Sequence, residues 1–339
     1  GTRGASRLSP YLRHGLIHLS EAWDHVAGGP AGDVARFRDE LLWQEYARHW
    51  YSAHGTATRR GVRRELPPAS DADATEATWD RSMRCVAESL DELETDGWLV
   101  NQARMWLASH WSVRRGRPWR EGEDRFFAHL LDGSRAANRL GWQWTTGVGS
   151  SRTYGFSRWQ VERRAPGYCA ACPLVHDCPI EEWPPDPSYD GTRRGSARAS
   201  EPGPLEPESH RRPRLVWLTA ESLGARDPAA AAHPDLPAVF EFAEHLLAGL
   251  RLSSKRLVFR TETLAELGAR RIVELQLGDP RVVLAGRHPA VTWAPVPGFA
   301  TRAAAIGPAE VHPWPWLVPP PVRTVSSFTA WRRSAPSPA

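Results

Sequence analysis

Lysine, cysteine and long apolar stretches are all scarce in this chain of 339 residues. Of its 43 basic residues only Lys255 is a lysine, and the others are arginines. The net charge of +4 is compatible with a polyanionic partner but does not require one. Many of the arginines lie outside any motif, so a coding bias explains their excess better than phosphate recognition does. Charge alone therefore assigns no partner.

The distribution of apolar residues excludes a membrane protein. No stretch approaches the roughly 18 consecutive apolar residues that a membrane helix needs. The segment Gly1–Arg13 does not have the character of a signal peptide. We therefore expect a soluble, cytoplasmic protein with no membrane partner. In that compartment we expect the four cysteines to be thiols or metal ligands rather than disulfides.

Two regions differ in their apolar spacing. Before about residue 131 the spacing is helical, as in Met83, Val86, Leu90 and Leu93. Ser9-Pro10 is typical of an N-cap residue followed by the first residue of a helix. Later apolar runs have the length of strands and alternate with helical stretches such as Ser253–Ala269, which predicts a parallel sheet. These predicted strands are Leu215–Leu218, Ala238–Phe242, Ile272–Leu277 and Ala290–Trp293. We predict a helical domain over 1–185, a proline-rich linker over 186–213 and a small α/β domain over 214–339.

The cysteines have the spacing of metal ligands. Cys169, Cys172 and Cys178 follow a C-x2-C-x5-C pattern with proline after the last cysteine, and Cys85 can complete a set of four. Thiolates at such spacing bind Zn²⁺ or a [4Fe–4S] cluster. The spacing does not decide between these two sites or exclude four free thiols.

Five sequence blocks stand in the first half of the chain: Gly4–Leu12, Asp39–Tyr46, Gly97–Met105, Trp119–Phe127 and Asp132–Trp144. They resemble the flavin domain of the DNA photolyase/cryptochrome family, and they follow one another in its order and spacing over about 140 residues. The resemblance implies a mainly helical domain that binds FAD.

The resemblance also implies which residues hold the flavin. Arg104 and Asp132 would form a buried ion pair beside the isoalloxazine ring, and such a pair is costly unless it positions something. Asn138 would face flavin N5, where photolyases carry asparagine. The full set of implied FAD-binding residues is Ser6, Arg7, Leu8, Ser9, Phe37, Arg104, Asp132, Ser134, Asn138 and Trp142.

A second set of residues matches the pocket in which photolyases hold an extruded pair of damaged bases. By the resemblance, Trp43 and Trp144 are its walls, Glu40 and Asn101 bond the base edges, and Met105 fills its floor. The (6-4) photolyases have two histidines in place of the asparagine and the methionine. We therefore expect a monomeric deoxyribodipyrimidine photo-lyase that acts on cyclobutane dimers in UV-damaged DNA. Excited reduced FAD would donate an electron to the dimer and recover it after the ring splits.

Tryptophans and cysteines extend the resemblance. Trp142 and Trp119 match the inner and middle members of the electron relay that photoreduces the flavin. Trp79, Trp106 and Trp111 are alternatives for the outer member. One bacterial branch of the family holds an iron–sulfur cluster through cysteines at the places of the four in this chain. The resemblance therefore favours [4Fe–4S] over zinc or free thiols.

The α/β region resembles the family's antenna domain, but that domain normally precedes the flavin domain. We therefore expect a reversed, permuted domain order, with a parallel Rossmann-like sheet and an unknown antenna chromophore. An alternative function is a cryptochrome-like photoreceptor or redox protein without repair activity, because Gln44, Gln102 and Ser134 each weaken a family contact. A nucleic-acid-binding protein with a metal–sulfur centre and no flavin is a third class.

Overall fold

The computed structural model describes residues 5–66, 78–187, 189, 202–320 and 327–336. Contacts between Cα atoms divide the chain into two compact units. The helical unit comprises Gly1–Arg7 and Ala57–Ser196, and the α/β unit comprises Leu8–Thr56 and Ala197–Ala339. Of the predicted linker, residues 188 and 190–201 lie outside the described residues. Within the described residues, every helix is too short or too polar to cross a membrane.

The α/β unit contains one sheet and the helices around it. Helices α1 to α3 come first in the chain, and the sheet with its connecting helices follows after residue 201. The helices are α1 (Ser9–Arg13), α2 (Leu19–His25), α3 (Ala31–His54), α9 (Pro228–Ala232), α10 (Glu244–Leu250), α11 (Ser254–Gly268), α12 (Pro280–Val283), α13 (Phe299–Ile306) and α14 (Phe328–Ser334). The strands are β1 (Glu208–Ser209), β2 (Leu215–Leu218), β3 (Ala238–Phe242), β4 (Val273–Leu277), β5 (Pro289–Thr292) and β6 (Glu310–His312).

The helical unit is built around one apolar core. Its elements are α4 (Arg84–Thr95), α5 (Asn101–Ala108), a π-helix (Ser109–Arg114), α6 (Trp119–His129), α7 (Arg135–Thr146), α8 (Arg158–Arg164) and a 3-10 helix (Tyr168–Ala171). A further 3-10 helix, Gly55–Arg59, follows α3 in the chain. Gly97 has a φ of +67° just after α4, a conformation that favours glycine, and it ends that helix as such residues commonly do. The core includes Leu90, Leu107, Phe126 and Trp142.

The sheet has the order β1-β6-β5-β2-β3-β4. Strands β2 to β6 pair in parallel, and β1 pairs with β6 in the antiparallel sense at one edge. Numbered by chain position, the five parallel strands lie in the order 3-2-1-4-5. Both faces are buried, because Val216 and Leu218 of β2 join one apolar cluster while Leu215 and Trp217 join another. The predicted mostly parallel sheet is confirmed.

The grouping of the first three helices differs from the predicted domain boundaries. Instead of joining a helical domain over 1–185, residues 8–56 group with the sheet. The cause is aromatic packing by α3: Trp43 stacks on Phe328 with 3.7 Å between ring centroids, and His49 stacks on Trp316 at 4.3 Å. Periodicity predicted that these residues are helical, but it carries no information on a contact almost 300 residues away.

Two local predictions also need correction. Ser9 is not the N-cap of α1: the helix begins at Ser9, the preceding Leu8 is the N-cap residue, and no side chain caps the helix. Leu8 already has helical backbone angles, and Pro10 has no amide proton to leave unpaired, so the helix begins one residue early. The end of the predicted linker is also structured, since Glu208–Ser209 forms β1 and pairs with β6.

Candidate functional site

Arg104 of α5 forms an ion pair with Asp132, which lies just before α7, and only one of the two carboxylate oxygens takes part. Arg104 donates from Nη2 to Asp132 Oδ2 at 2.8 Å and from Nε to the Leu99 carbonyl at 3.0 Å. The Asp132 side chain is only 7% exposed. Its second oxygen, Oδ1, is buried, and no described residue donates a hydrogen bond to it. A buried acceptor without a donor costs about 1–3 kcal/mol, so this atom fits a site that a ligand N–H completes.

The first turn of α7 follows this pair directly. Ser134 is the N-cap residue, and its hydroxyl accepts hydrogen bonds from the amides of Ala136 at 3.1 Å and Ala137 at 3.4 Å. One turn later, buried Asn138 donates from Nδ2 to the Glu123 carbonyl at 3.0 Å. That bond orients the Asn138 carboxamide and leaves its second N–H and its oxygen for a partner. The helix thus holds a neutral donor and acceptor close in sequence to the open Asp132 oxygen.

Glu123, whose carbonyl accepts the hydrogen bond from Asn138, belongs to a charged cluster that was not predicted from the sequence. The Glu123 side chain is fully buried and pairs with Arg120, with Arg135 at 2.7 Å and with Arg139 at 3.5 Å. Arg139 also donates to the Thr58 hydroxyl at 3.0 Å. A buried carboxylate needs such partners, because desolvation alone is expensive. The signal was present in the block Trp119–Phe127, where an acidic residue stands among core aromatics.

The predicted relay residues lie in the apolar core. Trp142 is 2% exposed and packs edge-on against Phe126, with 5.1 Å between ring centroids. Gly122 on α6 permits this position, because a Cβ atom there would overlap the Trp142 ring. Trp119 is buried in the same core. Their order in a relay stays a prediction.

Candidates for the outer relay residue differ in burial. Trp79 and Trp111 are 4% and 3% exposed and pack together at a centroid distance of 4.3 Å. Trp106 is only partly buried and stacks on Phe156 at 5.4 Å. A final donor that exchanges electrons with molecules in solution needs access to solvent. Burial therefore favours Trp106 among the three.

The residues of the predicted base pocket fall in both units. Asn101 and Met105 lie one turn apart on α5, with Asn101 Nδ2 at 3.5 Å from Met105 Sδ. Trp144 on α7 is 44% exposed and therefore accessible for stacking. Glu40 and Trp43 lie on α3 in the α/β unit, and one face of Trp43 is covered by Phe328. Partial burial, followed by the nearby Asp39 charge, raises the pKa of Glu40.

The predicted FAD-binding residues near the N-terminus are also divided between the units. Ser6 and Arg7 belong to the helical unit, and Arg7 has a φ of +56° with its guanidinium 4.6 Å from the centre of the Trp98 ring. Leu8, Ser9 and Phe37 belong to the α/β unit. The structure gathers Arg104, Asp132, Ser134, Asn138 and Trp142 in the helical unit. Flavin contact by any of the ten remains a prediction.

All four cysteines line one cavity of the helical unit. Cys85 comes from α4, Cys169 and Cys172 from the 3-10 helix and the residue after it, and Cys178 from the following turn. Arg84 and Arg158 line the same cavity. Burial, together with the other three thiols, raises the pKa of Cys85 to about 12. Four thiolates cannot share this space without a cation among them.

The spacing of the thiols bears on which cation fits. Among the described residues, no three of the cysteine sulfurs lie within 4.8 Å of one another. Zinc with four thiolates at about 2.3 Å would bring the sulfurs to about 3.8 Å apart. A cluster binds each thiolate through a different iron and so accepts a wider arrangement. Four thiols around one cavity could hold either a zinc ion or an iron–sulfur cluster.

Known proteins match the part of the chain that carries these residues. A family model described as the FAD binding domain of DNA photolyase matches residues 37–164, the stretch that carries the ion pair, Asn138 and Trp142. This part of the chain belongs to the DNA photolyase/cryptochrome family. The matched photolyase stretch includes α4 to α7 of the helical unit, and also most of α3.

Relatives of the matched stretch are named deoxyribodipyrimidine photo-lyases. One from Synechococcus is 32% identical over 160 residues, which is 43% of this chain and 33% of the relative. One from Thermus thermophilus is 32% identical over 152 residues, or 43% of this chain and 36% of the relative. The crystal structure of a class III photolyase from Agrobacterium tumefaciens is 26% identical, with a TM-score of 0.38, and covers 44% of this chain and 32% of that one. The chain thus matches about a third of the length of these photolyases.

Proposed function

We propose that this protein binds FAD and uses light to split cyclobutane pyrimidine dimers in DNA, acting as a monomer. The observation that carries the proposal is the Arg104–Asp132 pair with one buried carboxylate oxygen open, followed by a fixed Asn138. These groups stand within the stretch that matches the photolyase FAD domain. When bound, reduced FAD supplies the electron that light transfers to the dimer and accepts it back.

The side chains of this protein would bind and orient the flavin and the damaged bases. The open Asp132 oxygen would accept a hydrogen bond from the flavin ring, and the Asn138 carboxamide would face its reducible nitrogen. Burial of Trp142 keeps water from the centre of the core. Exposed Trp144 offers a stacking surface to an extruded base, and such stacking contributes about 1–3 kcal/mol per base. Asn101 presents an amide to the base edge.

Illumination of the reduced, FAD-loaded protein with a dimer-containing oligonucleotide tests the function. We expect dimers to disappear in the light and to persist in the dark. Trp144→Ala should weaken binding of the damaged oligonucleotide about 5- to 150-fold. Trp159→Ala is the matched control, because Trp159 is 58% exposed on α8 of the same unit and should leave binding unchanged. Persistence of dimers in the light, with FAD bound, would refute repair.

A second candidate function is a flavin photoreceptor or redox protein without repair activity. Trp43, one of the expected walls, is stacked on Phe328 at 3.7 Å and so has one face already occupied. A wall that stacks on its own chain offers a damaged base at most its other face. FAD that is bound and photoreducible, without loss of dimers, would favour this candidate. A protein that binds nucleic acid and takes up no FAD would exclude both.

We also propose a [4Fe–4S] cluster held by Cys85, Cys169, Cys172 and Cys178. The shared cavity supports it, and a structural role fits, since the cluster would join Cys85 on α4 to the distant segment that carries Cys169, Cys172 and Cys178. Anaerobic purification should give a brown protein with four irons and four inorganic sulfides per chain. Stoichiometric zinc without iron would contradict the cluster, as would thiols that all react with an alkylating reagent in the folded protein.

We further infer that residues 214–339, the part of the α/β unit that contains the parallel sheet, correspond to the family's antenna domain placed after the flavin domain. The 3-2-1-4-5 order of its parallel strands is the order of doubly wound nucleotide-binding folds. Strands β2 and β3 resemble the first two strands of the antenna domain in sequence, and later motifs of this region also resemble it. A reversed order is physically permissible, because domain termini lie at surfaces and exposed connections tolerate cuts.

A further inference from the structure

Two histidines and a glutamate meet at one edge of the α/β sheet. His233 Nε2 lies 2.6 Å and His312 Nε2 lies 3.2 Å from the same oxygen, Glu310 Oε2. Among the described residues, the ligating atoms of these three side chains form a group in which all lie within 4.8 Å of one another. Two imidazoles and one carboxylate are a donor set that zinc favours in proteins.

We propose that His233, Glu310 and His312 bind a zinc ion through three protein ligands and leave a fourth position for water. Nothing in the proposed photochemistry uses these residues, and they lie outside the stretch that matches photolyases. The site is therefore independent of the flavin and of the cysteines. Its donors are hard oxygen and imidazole nitrogen, whereas the cavity of the helical unit offers only sulfur.

The fold holds the three ligands in place before any ion binds. Glu310 and His312 are two residues apart on β6, so their side chains share one face of the sheet. His233 ends α9, and Arg271 donates from Nη2 to its backbone carbonyl at 2.6 Å. Ligands whose backbones are fixed lose little entropy on binding, which favours a specific site over an incidental cluster.

The surroundings match the second layer of a zinc site. The other oxygen of Glu310, Oε1, accepts a hydrogen bond from the Ser209 hydroxyl at 3.3 Å, so Oε2 is left to face the two rings. The side chains of His233, Glu310 and His312 are 23%, 16% and 8% exposed. That exposure is enough to admit an ion and a water ligand. Partners that orient the first ligands typically change metal affinity by about 10- to 100-fold.

Zinc titration of the full-length protein, cleared of metal by a mild chelator, tests the site. Because thiols that hold no cluster would also take up zinc, the measured quantity is the difference in bound zinc between variants. His233→Ala should bind one equivalent of zinc less than the unmodified protein. His25→Ala removes an exposed histidine of the same unit and should bind the same number of equivalents as the unmodified protein. Equal stoichiometry and affinity in the unmodified protein and His233→Ala would overturn the proposal.

A second variant guards against a folding defect. Glu310→Gln keeps the size of the side chain and removes its charge, and we expect zinc affinity at this site to fall at least about tenfold. Cobalt provides a separate readout, since thiolate ligands give intense near-ultraviolet charge-transfer bands that imidazole and carboxylate ligands do not. One cobalt equivalent without those bands, lost in Glu310→Gln while circular dichroism is unchanged, is the expected result. Cobalt that binds only with thiolate bands would refute the site.

Discussion

Each unit buries an aspartate beside the start of a helix, and the two differ in how their oxygens are satisfied. In the α/β unit Asp227 accepts from the Ser222 hydroxyl at 2.5 Å and from the Ala230 amide at 2.9 Å. In the helical unit Asp132 accepts from Arg104 at 2.8 Å through one oxygen, while the other, Oδ1, has no donor among the described residues. Both side chains are removed from water.

The difference separates a structural carboxylate from a binding carboxylate. Asp227 is completed by its own chain, so its hydrogen bonds stabilise the fold with or without a ligand. Asp132 leaves a buried acceptor open, and the fold bears that cost unless a ligand supplies a donor. Changes at Asp227 should therefore act on unfolding, and changes at Asp132 should act on FAD binding.

The largest expected effect is at Asp227. Asp227→Ala removes the N-cap of α9 and leaves the buried Ser222 hydroxyl without its acceptor. We expect the free energy of unfolding of the α/β unit to fall by about 3–4 kcal/mol. Hydrogen exchange of peptides from each unit measures this. Asp235→Ala, at an exposed aspartate, is the control, and equal loss of protection in the helical unit would break the comparison.

Acid should affect the helical unit through His110. Burial, followed by the positive charges of Arg115 and Arg114, lowers the pKa of His110 to about 4 from an ordinary 6.5. The folded state therefore holds the ring neutral. The free energy of unfolding has its full value above pH 6.5 and decreases as the pH falls towards 4, because the unfolded chain takes up the proton first. The loss amounts to about 3 kcal/mol.

Denaturant unfolding followed between pH 7 and pH 4 measures this dependence. His110→Leu should flatten the pH dependence of the helical unit, because the variant has no ring to protonate. The buried His14 of the α/β unit also has a lowered pKa, chiefly through burial. Hydrogen exchange of peptides from each unit must therefore accompany the denaturant experiment, so that the two units are followed separately. An unchanged slope in His110→Leu would show that another group controls the acid response.

Part of the fold could be predicted from the sequence alone. Strand β2 was predicted with its correct first and last residues, because a short run of consecutive apolar residues is typical of a strand that is buried on both faces of a sheet. Strands β1 and β6 were missed, because Glu208–Ser209 and Glu310–His312 are short and mostly polar. The Arg104–Asp132 pair was predicted only through the family resemblance. No periodicity indicates that residues 28 positions apart form an ion pair.

Other features depended on contacts that a local pattern does not contain. The place of α3 in the α/β unit follows from Trp43 on Phe328 and His49 on Trp316. The open oxygen of Asp132 is likewise a property of packing, since it depends on every neighbour that fails to donate. Sequence identified the residue types of the candidate site, and only the structure showed which of them are unsatisfied.

A smaller effect is expected at Asp132. Asp132→Ala should weaken FAD binding about 10- to 100-fold, because the ligand loses a charged acceptor in a buried setting. The free energy of unfolding of the FAD-free protein should change much less than in Asp227→Ala, since one Asp132 oxygen is already unsatisfied. Flavin fluorescence titration measures the affinity. Asp91→Ala, at an exposed aspartate of α4, is the control.

An equal loss of unfolding free energy in Asp132→Ala and Asp227→Ala, with FAD affinity unchanged, would remove the distinction between the two carboxylates. It would also remove the observation that carries the proposed flavin site. A flavin site within residues 37–164 would then have to depend on a group other than Asp132.

The smallest effect compares two helix caps, one in each unit. Ser134 caps α7 through the amides of Ala136 and Ala137, and Ser327 caps α14 through the amide of Ala330. Replacing either serine by alanine should lower the free energy of unfolding by about 1 kcal/mol. Only Ser134→Ala should also weaken FAD binding, by a few-fold, because α7 carries Asn138 and Trp142. If Ser327→Ala weakens FAD binding equally, the loss comes from general destabilisation, and the cap of α7 has no special part in FAD binding.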